Sequence, residues 1–95
     1  YRITNNMNSM NMLPKIDVIM PGFTTEGMHY HKGEEFIYVL EGILTLELDG
    51  KTHTLYPGDT AHYDTINVHS WSNHTNKLVK VLMVSVPNSF LQDTK

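Results

Sequence analysis

Short apolar runs alternate with turn-forming residues along the chain from residue 15 to residue 86. The runs are rich in valine, isoleucine, tyrosine, threonine and leucine, and they are separated by glycine, proline, asparagine and aspartate. None of them keeps the spacing of an amphipathic helix, so the pattern predicts strands throughout. The predicted strands cover residues 16–20, 28–31, 36–40, 43–48, 51–56, 60–64, 69–73 and 78–86.

The clearest predicted element is a hairpin formed by residues 43–48 and 51–56. Asp49 and Gly50 lie between the two runs, and this dipeptide accepts the positive φ angles of a two-residue hairpin turn. Because side chains alternate along a strand, one face of the hairpin is predicted to be core and the other solvated. The residues on the predicted core face are Leu44, Leu46, Leu48, His53 and Leu55.

The number and type of predicted strands favour one closed architecture. The run from Phe36 to Leu40 is apolar at every position, which predicts a central strand covered on both faces. Seven or eight short strands without a helix favour a small antiparallel β-barrel or jelly roll, whose closure protects strand edges. Residues 1–12 are predicted as a weakly ordered N-terminal segment or an edge strand, residues 13–91 as the folded domain, and residues 92–95 as a tail.

Composition narrows the possible classes of protein. The 95 residues, 40% of them hydrophobic, suffice for one core but not for two independent ones. The chain has no cysteine, which suits a reducing cytoplasm and excludes thiolate sites. Its net charge is −3 and its seven Lys and Arg residues are scattered, so this segment is a poor candidate for direct DNA binding. Its apolar runs are far shorter than the roughly 20 residues of a membrane-spanning helix, so we expect a soluble protein.

Four residues are predicted to bind a metal ion. On an extended strand His29 and His31 project from the same face and Glu35 keeps that parity, whereas Glu34 faces away unless a bulge at Gly33 exchanges the two carboxylates. His69 begins a later polar strand and can add a third imidazole from across the barrel. Such a set suits Fe(II), Mn(II), Ni(II), Zn(II) or Cu(II) better than Ca²⁺ or Mg²⁺. Taken alone, a His-x-His pair is more often two ordinary surface residues than a metal site.

The spacing of these residues resembles the first motif of the cupin superfamily. His29-x-His31-x-x-x-Glu35 is followed after six residues by Gly42, as in that motif, although the preceding glycine is displaced by one position. The resemblance implies a double-stranded β-helix fold, and it implies that the metal ligands are His29, His31, Glu35 and His69.

The second cupin motif is present with a variant middle. Gly58 stands six residues before Asp64, and His69-x-x-x-Asn73 closes the motif. Asp64 and Ile66 occupy the positions where this motif has proline and glycine. The side-chain amide of Asn73 is predicted to tie down a neighbouring loop at the end of its strand.

Three further stretches resemble the C-terminal cupin of bacterial XRE-type helix-turn-helix transcriptional regulators. They are residues 33–42, 56–60 and 86–90, and the resemblance extends over residues 13–91. It implies a homodimeric sensor domain that binds a metal or small molecule in its interior. It also implies that DNA is bound only through a separate helical domain preceding Tyr1, in the cytoplasm and away from any membrane.

The remaining candidates concern a ligand pocket and two other functions. Trp71, Tyr63 and His53 are candidates for lining a pocket, although a lone tryptophan in a small β-protein is more often core and such a histidine is more often structural or solvated. An intact ligand set is also compatible with a free-standing metal-dependent cupin enzyme, dioxygenase-like or isomerase-like, acting on a small oxyacid or sugar. No catalytic residue can be assigned for it. A sugar-binding module that stacks its ligand on Trp71 and Tyr63 is the third possibility.

Overall fold

The structure is a computed structural model that describes residues 11–25, 33–65 and 69–86. These residues form seven strands and no helix, and therefore no helix that could cross a membrane. The predicted strand at residues 28–31 and the predicted tail lie outside the described residues, as do residues 1–10. The strands are β1 (Leu13–Ile19), β2 (Glu34–Glu41), β3 (Leu44–Leu48), β4 (Lys51–Leu55), β5 (Thr60–Asp64), β6 (His69–Ser72) and β7 (Val79–Val86).

Two antiparallel sheets enclose one hydrophobic core, which confirms the all-β jelly-roll prediction. One sheet has four strands in the order β1-β7-β2-β5, and the other has three in the order β4-β3-β6. Alternate residues of both sheets point into the core, as the period of two requires. The core cluster consists of Ile19, Ile37, Val39, Leu44, Leu46, Tyr63, Trp71, Val79, Val81 and Met83.

The predicted hairpin is confirmed, but one of its residues is not core. Asp49 and Gly50 have φ angles of 49° and 83°, as a two-residue hairpin turn requires. His53 lies opposite Leu46 in the register, as the alternation predicts. It is nevertheless exposed, because β4 is an edge strand with a neighbour on only one side. The inward placement of His53 that the alternation allows is therefore not found, and His53 is a solvated histidine.

Within the single chain, the strand at residues 36–40 is not covered on both faces, contrary to the prediction. Strand β2 does lie inside its sheet, between β7 and β5. Ile37 and Val39 are fully buried, whereas Tyr38 and Leu40 are 36% and 41% exposed. Strands β1 and β7 continue this apolar surface on the same side of the sheet. We call this surface the outer face, and define it by Ile16, Val18, Phe36, Tyr38, Leu40, Leu82 and Val84.

Asn73 joins two parts of the chain through a fully buried amide, which confirms its predicted role. Its Nδ2 donates hydrogen bonds to the carbonyl oxygens of Ile19, at 2.9 Å, and Lys77, at 2.7 Å. Its Oδ1 accepts from the backbone N–H of Thr75 at 2.9 Å and from the Thr75 hydroxyl at 2.7 Å. The amide thus ties the end of β1 in one sheet to the loop that follows β6 in the other.

Gly42 allows the chain to pass from the four-stranded to the three-stranded sheet. It has a φ of 82°, and a Cβ atom at this position would stand 2.4 Å from the carbonyl oxygen of Leu78 and 2.9 Å from Cα of Val79. A side chain would therefore meet both backbone strain and a backbone clash. Gly50 has a similar φ of 83°, but a Cβ atom there would have no neighbour within 4 Å, so a substitution would bring strain without a clash.

We expect Gly42→Ala to destabilise the fold more than Gly50→Ala. Both substitutions place alanine at a positive φ, which costs roughly 1–2 kcal/mol. Gly42→Ala must also displace the Leu78 carbonyl, so its free energy of unfolding should fall by at least about 1 kcal/mol more. Urea unfolding followed by Trp71 fluorescence measures both losses. Equal losses would contradict the role of close approach at Gly42.

We expect Asn73→Ala to lower the free energy of unfolding by roughly 3 kcal/mol, because one buried group and several partly buried groups lose their hydrogen bonds together. Asn76→Ala is the matched control, since Asn76 is an exposed residue of the same loop. Its effect should stay within about 0.5 kcal/mol. The same unfolding measurement serves both variants, and similar small losses would show that the buried amide is not important for stability.

Candidate metal and ligand site

Two of the four predicted metal ligands lie side by side between the sheets. Glu35 is the second residue of β2 and points inward, while its neighbour Glu34 is exposed, as the parity predicts. His69 is the first residue of β6. The side chains of Glu35 and His69 are 15% and 6% exposed, and Oε1 of Glu35 is 3.9 Å from Nε2 of His69. Strands from the two sheets thus bring a carboxylate and an imidazole together.

The separation of these two atoms is short enough for both to bind one metal ion. At 3.9 Å they are too far apart for a hydrogen bond. Two donors that each lie about 2.1 Å from one transition-metal ion can be at most about 4.2 Å apart, so both can reach the same ion. His29 and His31 lie outside the described residues. Among residues 11–25, 33–65 and 69–86, no group of three histidine or acidic side chains is close enough to hold a metal.

Tyr63 and Trp71 extend the site through two hydrogen bonds. Tyr63 lies directly opposite Glu35 in the pairing of β5 with β2. Its hydroxyl donates a hydrogen bond to Oε1 of Glu35 and accepts one from Nε1 of Trp71 at 2.9 Å. The Tyr63 ring also packs against the imidazole of His69, with 5.2 Å between centroids and an interplanar angle of 49°. These contacts place both aromatic residues beside the candidate ligands.

The surroundings of the Tyr63 phenol disfavour the loss of its proton. Burial raises its pKa well above the ordinary value, and the negative charge of Glu35 and the hydrogen bond to it raise the pKa further. The hydrogen bond from Trp71 has the opposite but smaller effect. A protonated phenol can donate to a carboxylate but cannot act as an anionic ligand. The structure therefore gives Tyr63 the role of a hydrogen-bond donor at this site.

The other pocket candidates differ in position and exposure. His53 is exposed on β4, and the structure does not bring it to Glu35 and His69. Trp71 and Tyr63 are only 6% and 7% exposed, so little of either ring is accessible for stacking on a sugar. Their hydrogen bonds to the site were not predicted from the sequence. Strand parity would have indicated them only if the pairing of β5 with β2 had been known.

The stretch that contains His29 and His31 is anchored at both of its ends. On one side the backbone N–H of Thr25 donates to the Trp71 carbonyl at 2.8 Å, and the Trp71 N–H donates to Oγ1 of Thr25 at 2.8 Å. On the other side the Gly33 carbonyl accepts from the Thr65 N–H at 2.9 Å. The first anchor is formed with Trp71, which is on the same strand as His69. The second is at Gly33, two residues before Glu35.

Comparison with known proteins identifies the family and several relatives. The family described as Cupin domain matches residues 16–85. The HTH-type transcriptional regulator PuuR of Escherichia coli (strain K12) is 30% identical over 90 residues, which are 94% of this chain and 49% of that protein. The chain therefore spans about half the length of this curated relative.

Two further similarities bear on function and fold. Quercetin 2,3-dioxygenase of Bacillus subtilis (strain 168) is 37% identical over 67 residues, which are 67% of this chain and 20% of that enzyme. The solved Cupin_2 domain of an XRE family transcriptional regulator from Enterobacter cloacae superposes with a TM-score of 0.69 at 21% identity, covering 81% of this chain and 97% of that domain. Because the family match covers most of the chain and the fold agrees with it, the chain belongs to the cupin family.

Proposed function

We propose that the chain is the sensory domain of a DNA-binding transcriptional regulator. In this proposal the cupin domain extends over residues 13–91 and binds a metal ion and a small-molecule ligand in its interior. The similarity to PuuR supports the proposal, because it extends along 94% of this chain but along only 49% of the regulator. A helix-turn-helix domain would occupy other parts of the full protein, which would act on DNA in the cytoplasm.

We propose that His29, His31, Glu35 and His69 together hold a divalent transition metal, which is Zn, Fe, Mn, Ni or Cu. The single observation that carries this site is the buried pair of Glu35 and His69, with its donor atoms 3.9 Å apart. The spacing His29-x-His31-x-x-x-Glu35, which resembles the first cupin motif, supports the participation of the two remaining histidines. A metal bound there would supply Lewis acidity to an oxygen-containing ligand.

We expect a divalent metal to stabilise this chain through Glu35 and His69. An ion that binds only the folded state adds about 2.7 kcal/mol at 100 times its dissociation constant, which raises the melting temperature by roughly 10 °C. Thermal unfolding with Co²⁺ and with EDTA measures the shift. Glu35→Gln and His69→Ala should abolish it, whereas His53→Ala, which removes an exposed imidazole, should retain it. A wild-type melting temperature that is the same in metal and in chelator would contradict the site.

We expect the full gene product containing this chain to bind DNA, and its binding to depend on the domain's ligand site. Gel-shift titration of DNA from upstream of its own gene, with the full protein in Co²⁺ and in EDTA, tests this. For Glu35→Gln, the DNA-binding curves measured in Co²⁺ and in EDTA should coincide, and the variant should still bind DNA. The sensor proposal would be overturned by a full protein that contains no DNA-binding domain. It would also be overturned by one whose DNA affinity is the same in Co²⁺ and in EDTA.

We propose that the domain is a homodimer and that the outer face is its interface. Two rows of apolar side chains cross this face from β1 through β7 to β2. The charged groups stand at its two ends, where Lys80 approaches Glu41 at 3.9 Å and His62 approaches Glu34 at 2.7 Å. A second copy with its strands reversed would bury the apolar rows and bring Lys80 towards the Glu34 end of the other copy, which suits a two-fold interface.

We expect Tyr38→Glu to convert a dimer into a monomer, because it buries a charge among apolar side chains. Tyr56→Glu is the matched control, since it makes the same change at an exposed residue between β4 and β5. Sedimentation equilibrium at micromolar concentration gives the mass of each, and far-ultraviolet circular dichroism checks the fold. A monomeric wild type, or a Tyr38→Glu variant that remains dimeric, would contradict this interface.

A second candidate function is a free-standing metal-dependent enzyme of dioxygenase or isomerase type. The observation that favours it is the similarity to quercetin 2,3-dioxygenase over 67% of this chain, together with the same metal site. Oxygen consumption and product formation with catechols, small oxyacids and sugars test it, with bound metal verified in the same sample. The absence of turnover in metal-loaded protein would remove this candidate and leave the sensor.

A further inference from the structure

The hydrogen bonds among Trp71, Tyr63 and Glu35 form a relay with one direction. The indole N–H of Trp71 can only donate, so the Tyr63 oxygen must accept from it. The single proton of the Tyr63 hydroxyl is then directed away from the indole and towards Oε1 of Glu35. No tautomer or side-chain flip can reverse this order. The relay therefore fixes which group donates at each step.

The two side chains that lead to the Glu35 carboxylate, Tyr63 and Trp71, are held rigidly. Tyr63 and Trp71 are both part of the hydrophobic core, and they belong to strands of different sheets. Core packing restricts their rotamers, so the hydroxyl has a fixed position relative to β2. Within the described residues, the Tyr63 hydrogen bond and the approach of His69 both fall on Oε1 of Glu35. The carboxylate is consequently oriented between a hydrogen-bond donor and an imidazole.

We propose that Tyr63, held in place by Trp71, is a positioning residue that orients the Glu35 carboxylate for metal binding. This role rests on the metal site proposed above. Groups that hydrogen-bond to a metal ligand fix its orientation before the ion arrives, and their removal typically weakens metal affinity on the order of 10–100-fold. The alternative is that the two hydrogen bonds only satisfy buried polar atoms and leave metal affinity unchanged.

The test is a titration of the metal-free protein with Co²⁺, whose visible absorption reports both affinity and ligand geometry. Tyr63→Phe removes the hydroxyl and keeps the ring, and we expect it to weaken Co²⁺ binding roughly 10–100-fold and to change the absorption bands. Tyr56→Phe is the matched control, because Tyr56 is exposed. It should bind like the wild type. The melting temperature of each metal-free variant reports any purely structural loss.

Trp71→Phe provides a second route, because it removes the indole N–H and leaves the Tyr63 hydroxyl in place. If Trp71 acts through Tyr63, Trp71→Phe weakens Co²⁺ binding on its own but has little further effect when Tyr63 is already phenylalanine. Independent, additive effects of the two substitutions would overturn the relay.

The outcomes separate this role from the proposed metal site. A wild-type protein that binds no Co²⁺ overturns both. Wild-type protein that binds Co²⁺ while Tyr63→Phe binds it equally well, with unchanged absorption bands, overturns the positioning role alone. Weaker binding of Co²⁺ by Tyr63→Phe, with Tyr56→Phe unchanged, supports the role even if the metal-free melting temperature also falls.

Discussion

Buried hydrogen-bonding groups tie the two sheets together, and the arrangement of the described strands depends on them. The chain has no cysteine, so no disulfide can link the sheets. At one end the Asn73 amide bridges β1 and the loop after β6, using both of its N–H groups and accepting twice at its oxygen. Its hydrogen-bonding capacity is complete. Asn73 therefore holds the architecture and has no capacity left for a ligand.

At the opposite end of the sheets, buried hydrogen-bonding side chains also link the two sheets, but their hydrogen-bonding capacity is not complete. Glu35, Tyr63 and Trp71 also link the two sheets, and their contacts lie among core side chains. A carboxylate, however, can accept more hydrogen bonds or metal bonds than one phenol supplies. At one end of the molecule, the amide that links the sheets has no hydrogen-bonding capacity left. At the other end, the linking carboxylate can still accept a further partner. This contrast explains how a small domain can keep a polar interior site without losing its fold.

Local patterns in the sequence predicted the features that depend on neighbouring residues. The Asp49-Gly50 turn, the inward Glu35 beside the outward Glu34, and the loop-tying amide of Asn73 all follow from alternation or turn chemistry. The exposure of His53 and of Tyr38 could not be predicted in this way, because it depends on which strands border a sheet and on what covers it. The pairing of Tyr63 with Glu35 likewise depends on strands that are distant in the sequence.

The two anchors of the stretch around His29 and His31 have a thermodynamic consequence. The backbone at Thr25 and at Gly33 is already hydrogen-bonded to neighbouring segments, so the ends of the intervening residues are held by the fold itself. The entropy of closing a loop is governed by bringing its ends together, and here that loss occurs on folding rather than on binding. A ligand that binds between the two anchors therefore does not have to supply the entropy of bringing these ends together.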